Sequence, residues 1–158
     1  MEFVIEERSY DDPDVVRMVA EVQQVYVEMY GGPDEAVVEP HEFVTPQGLF
    51  LVGILDGVAV ATGGWRRLDD DDAEIKRMYV SPPARRRGLS RLMLAEVERT
   101  AAAAGIRRLV LNTGPHQAAA IALYEQAGYV PVAPFGHYSE YGSAVFFAKP
   151  VRVDASRA

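Results

Sequence analysis

Midway along the chain an apolar segment, residues 75–80, passes through Ser81, Pro82, Pro83 and Ala84 into a basic turn, Arg85-Arg86-Arg87-Gly88. An amphipathic segment, residues 89–104, follows at once. No other stretch narrows the fold as much. Leu89, Leu92, Met93, Val97 and Ala101 recur at helical spacing, Gly105 ends the pattern, and residues 107–111 are again strand-like. A strand, a turn, a helix and a second strand make a crossover unit, whose two strands run parallel in one sheet. The chain is therefore read as α/β.

The same turn carries a chemical implication. Backbone N–H groups in the first turn of a helix have no intrahelical partner, and the helix dipole adds partial positive charge there. Gly88 has no side chain to obstruct a ligand, and Ser90 is small and can donate. The N–H groups from Arg86 to Arg91 can cradle a pyrophosphate, with the arginines adding charge. The competing reading is a basic surface loop that caps a helix and holds nothing. The turn is neither a dinucleotide-binding G-x-G-x-x-G nor a P-loop.

The remaining elements are read from local signals. Residues 3–8 form a first strand. Asp12 is placed to cap a helix that begins at Pro13, carries Val15, Met18, Val19, Val22, Val25, Tyr26 and Met29 on one face, and stops at Gly31-Gly32. Residues 33–47 form a long irregular connection. Residues 49–55 and 58–65 flank Asp56-Gly57, a strong hairpin signal. Four aspartates, residues 69–72, make a polar turn, more simply solvated than cation-binding, into residues 73–80. There the apolar phase slips: Ala73 and Ile75 share one face, Met78 and Val80 the other, with Lys76 and Arg77 between. A β-bulge or burial on both faces explains the slip. Residues 117–127 form a short helix ended by Gly128, and residues 129–132 and 144–148 are the last strands. The order predicts a mixed sheet in one domain spanning residues 1–158.

Composition removes several classes of function. The net charge of −7 disfavours nucleic acid and anionic membrane as partners, so the arginine cluster is a local basic island suited to a small polyphosphate. With no cysteine there is no disulfide, thiolate metal site or cysteine nucleophile. His41, His116 and His137 lack metal-site spacing, and no metal is expected. The acidic N-terminal segment is too short in apolar length for a signal peptide, and no window approaches a membrane span, so a cytoplasmic protein is expected.

Two segments together resemble a known family. Residues 73–82 leading into Arg85-Arg86-Arg87-Gly88-Leu89-Ser90 are similar to the acetyl-CoA-binding motif of the GCN5-related N-acetyltransferase (GNAT) superfamily, Gln/Arg-x-x-Gly-x-Gly/Ala, with Ser90 at the last position. Residues 117–129, from Gln117 through Ala120, Leu123 and Tyr124 to Gly128-Tyr129, resemble the family's Asn-x-x-Ala-x-x-Leu-Tyr-x-x-x-Gly-Phe segment, with Gln117 in place of the commoner Asn. The element order agrees along the whole chain. The resemblance implies a GNAT-like mixed sheet, splayed at its centre between the fourth and fifth strands and flanked by helices. It implies acetyl-CoA as cofactor, with the backbone of Met78, Tyr79 and Val80 pairing with the pantetheine arm. Arg85, Arg86, Arg87, Gly88, Leu89, Ser90 and Arg91 would form the pyrophosphate turn, and Gln117, Ala120 and Tyr124 would line the slot.

The implied chemistry is acyl transfer from a thioester to an amine by direct attack in a ternary complex. Such a transfer needs a deprotonated amine, a stabilised carbonyl oxygen and a leaving thiolate. The resemblance makes Tyr124 the general acid, against the alternative of a core aromatic. Backbone N–H near Met78 would polarise the acyl carbonyl. Glu74 is the candidate base, against the alternative of a structural partner for Lys76 or Arg107. Asn112, His116 and His137 are candidates for the acceptor pocket, and Trp65 and Arg66 either line it or close the hairpin. The acceptor regions contain Tyr26, Tyr30, His41, Phe43, Phe135, His137, Tyr138 and Tyr141, which suit a small amine or a peptide N-terminus. Asp34, Glu35, Glu39 and Glu42 leave room for an acidic cleft and a polycationic acceptor. The expected protein is an N-acetyltransferase, monomeric or homodimeric. The alternative from another class is a non-catalytic acyl-CoA sensor.

Overall fold

In a computed structural model of the chain, residues 2–34, 38–135 and 144–151 are described. Seven strands form one mixed sheet in the order β1-β2-β3-β4-β5-β7-β6. They are β1 Phe3–Glu7, β2 Gly48–Leu55, β3 Val58–Arg67, β4 Asp72–Val80, β5 Arg108–Thr113, β6 Val130–Pro131 and β7 Val145–Pro150. The helices are α1 Pro13–Tyr30, α2 Leu89–Ala103 and α3 Ala118–Gln126.

Local chemistry sets most boundaries. The Asp12 carboxylate accepts from the Asp14 N–H at 2.9 Å, Pro13 opens α1, and Gly31 closes it at φ 81°. Asp56 and Gly57 both take positive φ, the conformation that joins β2 to β3 as a tight hairpin. β2 is buried on both faces. Leu49 and Leu51 join the core beneath α2 and α3, while Phe50 and Val52 join a second core with Val15, Met18 and Phe43 beneath α1. A strand covered on both faces reads as a continuous apolar run.

On α2 the buried stripe is Leu89, Met93, Leu94, Val97 and Ala101. Leu92, expected inside, is 49% exposed because it falls on the other side of the i, i+4 stripe from Leu94. β5 runs to Thr113, two residues beyond the expected end, and β7 continues to Pro150.

Two features open the sheet at its centre. The first is a bulge in β4. Thr62 pairs with Tyr79 but Gly64 pairs with Lys76, so one extra residue is accommodated on β4, and Arg77 adopts φ 60°. The buried Thr62 hydroxyl donates to the Arg77 carbonyl at 2.7 Å and holds the bulge shut. The phase slip therefore has both proposed causes, since Glu74, Ile75, Lys76 and Arg77 are also all buried. The second feature is the brevity of the β4–β5 ladder. These strands run parallel and pair only from Asp72 with Arg108 to Glu74 with Val110. Beyond that point β4 stays with β3 and β5 with β7, so the two halves of the sheet diverge. Helix α2 makes the crossover between them.

Candidate functional site

The divergence leaves a cavity of about 450 Å³. Its floor is Ile75 to Met78 of β4 and Leu111, Asn112 and Thr113 of β5. Helix α3 contributes Ala120 and Tyr124, and Gln117 stands at its start. The last turns of α1 roof the cavity with Tyr26 and Tyr30, and the loop after α1 adds Asp34. Tyr26 and Tyr30 are less buried than Val15, Met18 and Val22 because α1 runs on past its core and over this opening.

Tyr124 is 5% exposed and reaches the cavity wall. Burial, with a smaller contribution from Tyr26, pushes its phenol well above the ordinary value, so it keeps its proton throughout the neutral range. Tyr129 packs edge-on against it, with ring centroids 5.4 Å apart. Tyr129 is in turn anchored by donation to Glu98 at 2.8 Å, and Lys149 pairs with the same carboxylate. Sequence reasoning missed this Tyr129–Glu98–Lys149 support, which joins residues far apart in the chain.

Glu74 is buried but does not line the cavity. Its Oε1 accepts from Nη2 of Arg66 at 3.0 Å and from Nε at 3.2 Å, and Arg66 also donates to Glu42 at 3.1 Å. Neither Lys76 nor Arg107 takes the partner role expected of it: Lys76 pairs with Asp34, and Arg107 lies near Asp71. Trp65 is 1% exposed and donates to Thr100 at 3.1 Å, so it belongs to the core.

The basic turn has the backbone of an anion cradle. Arg86 and Gly88 both adopt positive φ, 67° and 76°, and Gly88 caps α2 with no side-chain bond to the first-turn N–H groups. A Cβ built on Gly88 would stand in open space. Leu89 is buried, so it offers the turn only its backbone. Ser90 is half-buried, while Arg86 and Arg87 are exposed. Arg85 turns back: its Nε donates to the Val80 carbonyl at 2.9 Å, and its guanidinium lies 5.8 Å over the Tyr79 ring. Arg91 donates to Gln126 at 2.9 Å.

The strand end is similarly occupied. Met78 lays its sulfur over Gly63, where a Cβ would strike it. Tyr79 donates to Glu21 at 3.3 Å, and burial together with that carboxylate raises its phenol. Gln117 accepts from the Thr113 hydroxyl at 2.5 Å and from the Gly114 N–H at 3.0 Å, tying down the loop between β5 and α3.

At the mouth, Tyr30 stacks on His116 at 5.8 Å. His41 is exposed, Phe43 is core, and Phe135 packs on Phe146. Glu35, His137, Tyr138 and Tyr141 lie outside the described residues. Asp34 does not make the cleft acidic, because Lys76 and Arg77 both donate to it. Sequence reasoning gave neither cation a role in the cavity, and offered Lys76 only as a partner for Glu74. Their signal was present as consecutive charges inside an otherwise apolar strand.

The sequence model of the acetyltransferase (GNAT) family matches residues 16–129. An IAA acetyltransferase from Azospirillum brasilense is 32% identical over 139 residues, covering 87% of this chain and 90% of its own. The chain belongs to the GNAT family. It is an N-acetyltransferase, and enzymes of this family take their acetyl group from acetyl-CoA. Among solved structures, a Klebsiella pneumoniae protein described as an acyl-CoA N-acyltransferase superposes with a TM-score of 0.81 at 28% identity, over 94% of this chain and 97% of that one. The PaiA N-acetyltransferase of Thermoplasma acidophilum, solved with coenzyme A, shares the fold with a TM-score of 0.74 at 17% identity, over 95% and 99% of the two chains. Among the described residues of the enzyme, no helix is long and apolar enough to cross a membrane.

The residues of this GNAT enzyme fit its cofactor on their own geometry. Beyond Glu74, β4 has no β5 partner along the slot, which gives an extended arm a strand to lie against. At the end of that strand, the space over Gly88 and the uncapped first turn of α2 fit a pyrophosphate.

Proposed function

We propose that the enzyme moves an acetyl group from acetyl-CoA to a primary amine by direct attack while both substrates are bound. The observation that carries this reading is that the unpaired side of β4, the roof of α1 and the Tyr124 phenol all open into one shared cavity. Its volume, about 450 Å³, favours a small-molecule amine over a peptide, although a peptide N-terminus would enter by the same mouth.

Acetyl-CoA, when bound, supplies an activated acetyl group and a thiolate that leaves. The chain's own residues do the rest. The bulge interrupts the ladder at Arg77 and Met78, and the Met78 N–H is the proposed donor to the acyl carbonyl oxygen. Tyr124 holds its proton at Oη as charge develops on sulfur. A thiol is more acidic than a phenol, about 8–9 against about 10, and burial raises this phenol further. Tyr124 is therefore assigned hydrogen-bond donation to the leaving sulfur, with the attacking amine supplying the proton that finally neutralises it.

Glu74 has no part in this reading as a base, because its carboxylate is turned to Arg66 and lies off the cavity wall. Arg66 links it to Glu42, and this partly buried group braces β3 and β4 against the turn at residues 40–43. Before attack the ammonium form of the acceptor loses one proton to water, and the second, freed as the amide forms, is the one that reaches sulfur, so turnover rises with pH through the ionisation of the acceptor.

The test is acetylation of an amine panel by wild type and Tyr124→Phe. Loss of one preorganised donor lowers kcat by roughly 10²–10³-fold. CoA affinity, read by calorimetry, stays within about twofold. Full turnover by the Phe variant would return Tyr124 to the role of core aromatic.

A further inference from the structure

Lys76 and Arg77 are consecutive, yet both side chains reach the same oxygen. Nζ of Lys76 lies 2.9 Å from Oδ2 of Asp34, and Nη1 of Arg77 lies 2.5 Å from it. In a regular strand adjacent residues point to opposite faces. The bulge and the positive φ of Arg77 break that alternation and bring both cations to one wall of the acceptor cavity. Their side chains are 7% and 4% exposed, and that of Asp34 is 10% exposed.

The balance of charge is uneven. Among the described residues that line the cavity, the charged ones are these two cations and one carboxylate. Among those described residues one positive charge is in excess, on side chains that are largely covered. A charge held out of water without a full counter-charge is unfavourable. The donors also outnumber the bonds described. An ammonium carries three N–H groups and a guanidinium five. Arg77 directs Nε to Tyr10 at 3.2 Å and Nη1 to Asp34, and Lys76 directs one N–H to Asp34.

We propose that the acceptor is a small amine that also carries a carboxylate, an amino acid or close analogue, and that Lys76 and Arg77 receive that carboxylate. The proposal rests on the acetyl-transfer reading above and adds the class of substrate. A single excess charge matches a monoanion, whereas a phosphate dianion would leave the site negative. The bulge residues border the β4 side of the slot, so a carboxylate held there brings an amine one or two carbons away toward the acyl group. Tyr26 and Tyr30 provide flat walls for a side chain on the opposite side.

The experiment compares amino acids with their carboxamides, in which the anion is removed and the amine retained. Acetyl transfer is measured for both sets, and binding of both to the CoA-saturated protein is measured by calorimetry. The expected result is at least a tenfold preference in kcat/KM for the best acid over its amide, with the same order in binding. Lys76→Met should reduce that preference to near unity, and Lys76→Arg should restore most of it. Asp34→Asn, which raises the excess charge, should strengthen acid binding several-fold. Opposite effects of Lys76→Met and Asp34→Asn mark a charge role, since a purely structural role would make both weaken binding. CoA affinity within about twofold of wild type confirms that each variant is folded.

Amides that are bound and acetylated as well as the acids, in a Tyr124-dependent reaction, would overturn the proposal and leave acetyl transfer standing. Failure of every amine to react would count against the transfer reading instead, and the binding preference alone would then decide for or against the carboxylate site. Absence of binding by both sets would also overturn the proposal.

Discussion

Gly88 shows how one residue makes an anion site possible. Its φ of 76° lies in the left-handed region, and open space stands where its Cβ would be. Replacement by Val brings two separate penalties. Forcing an L-residue into that conformation costs about 1–2 kcal/mol. The branched side chain also fills the space above the first turn of α2, where a pyrophosphate would approach the N–H groups. Gly88→Val is expected to weaken CoA binding by at least tenfold while the circular dichroism spectrum stays native. Unchanged affinity would make the turn a cap with no ligand. Arg85 is held against β4 by the Val80 carbonyl, while Arg86 and Arg87 stand exposed at the surface.

At the scale of elements, the proposed acceptor side lies where α1 meets the loop that follows β5. Tyr30 reaches so close to Gly114 that a Cβ there would overlap its hydroxyl. Gly114→Ala should therefore push Tyr30 off its stack on His116 and disturb the cavity mouth. A several-fold rise in acceptor KM is expected, with CoA affinity unchanged. Tyr30→Ala removes the obstacle, so the double variant should recover part of the loss. Residues in contact couple by about 0.5–3 kcal/mol, and strictly additive effects would mean that the clash is relieved elsewhere. The elements themselves were largely legible, because their signals are local. Asp12, Pro13 and Gly31 delimit α1, and Asp56-Gly57 turns the hairpin. The bulge was legible only as a slip of phase, since the group that clamps it, Thr62, sits on the neighbouring strand. The partners of Glu74, Lys76 and Arg77 were not legible at all. They depend on where Arg66 and Asp34 come to rest, and Asp34 stands 42 residues before Lys76.

For the molecule as a whole, the split sheet leaves phenols covered in and behind the central cavity, and this fixes how stability responds to alkali. Burial raises the phenols of Tyr124 and Tyr129, with Glu98 adding to the effect at Tyr129. Burial and the charge of Asp34 raise that of Tyr26. In the unfolded chain these groups titrate near the ordinary value of about 10. Below that pH both states hold the proton and the groups add no pH dependence. Above it the unfolded chain releases protons that the folded protein retains, so the unfolded state gains and stability falls. The fall continues until the folded phenols also ionise, and each such group contributes at most about 1.4 kcal/mol per pH unit. Denaturant unfolding from pH 7 to 11 should therefore give a level stability that drops steeply above about pH 10. Tyr129→Phe should lower stability at pH 7, because Glu98 loses a buried partner, and should make the alkaline drop shallower. An alkaline slope identical in the two proteins would place the retained protons elsewhere, and would remove the physical ground for a Tyr129 ring that stays neutral while it braces Tyr124.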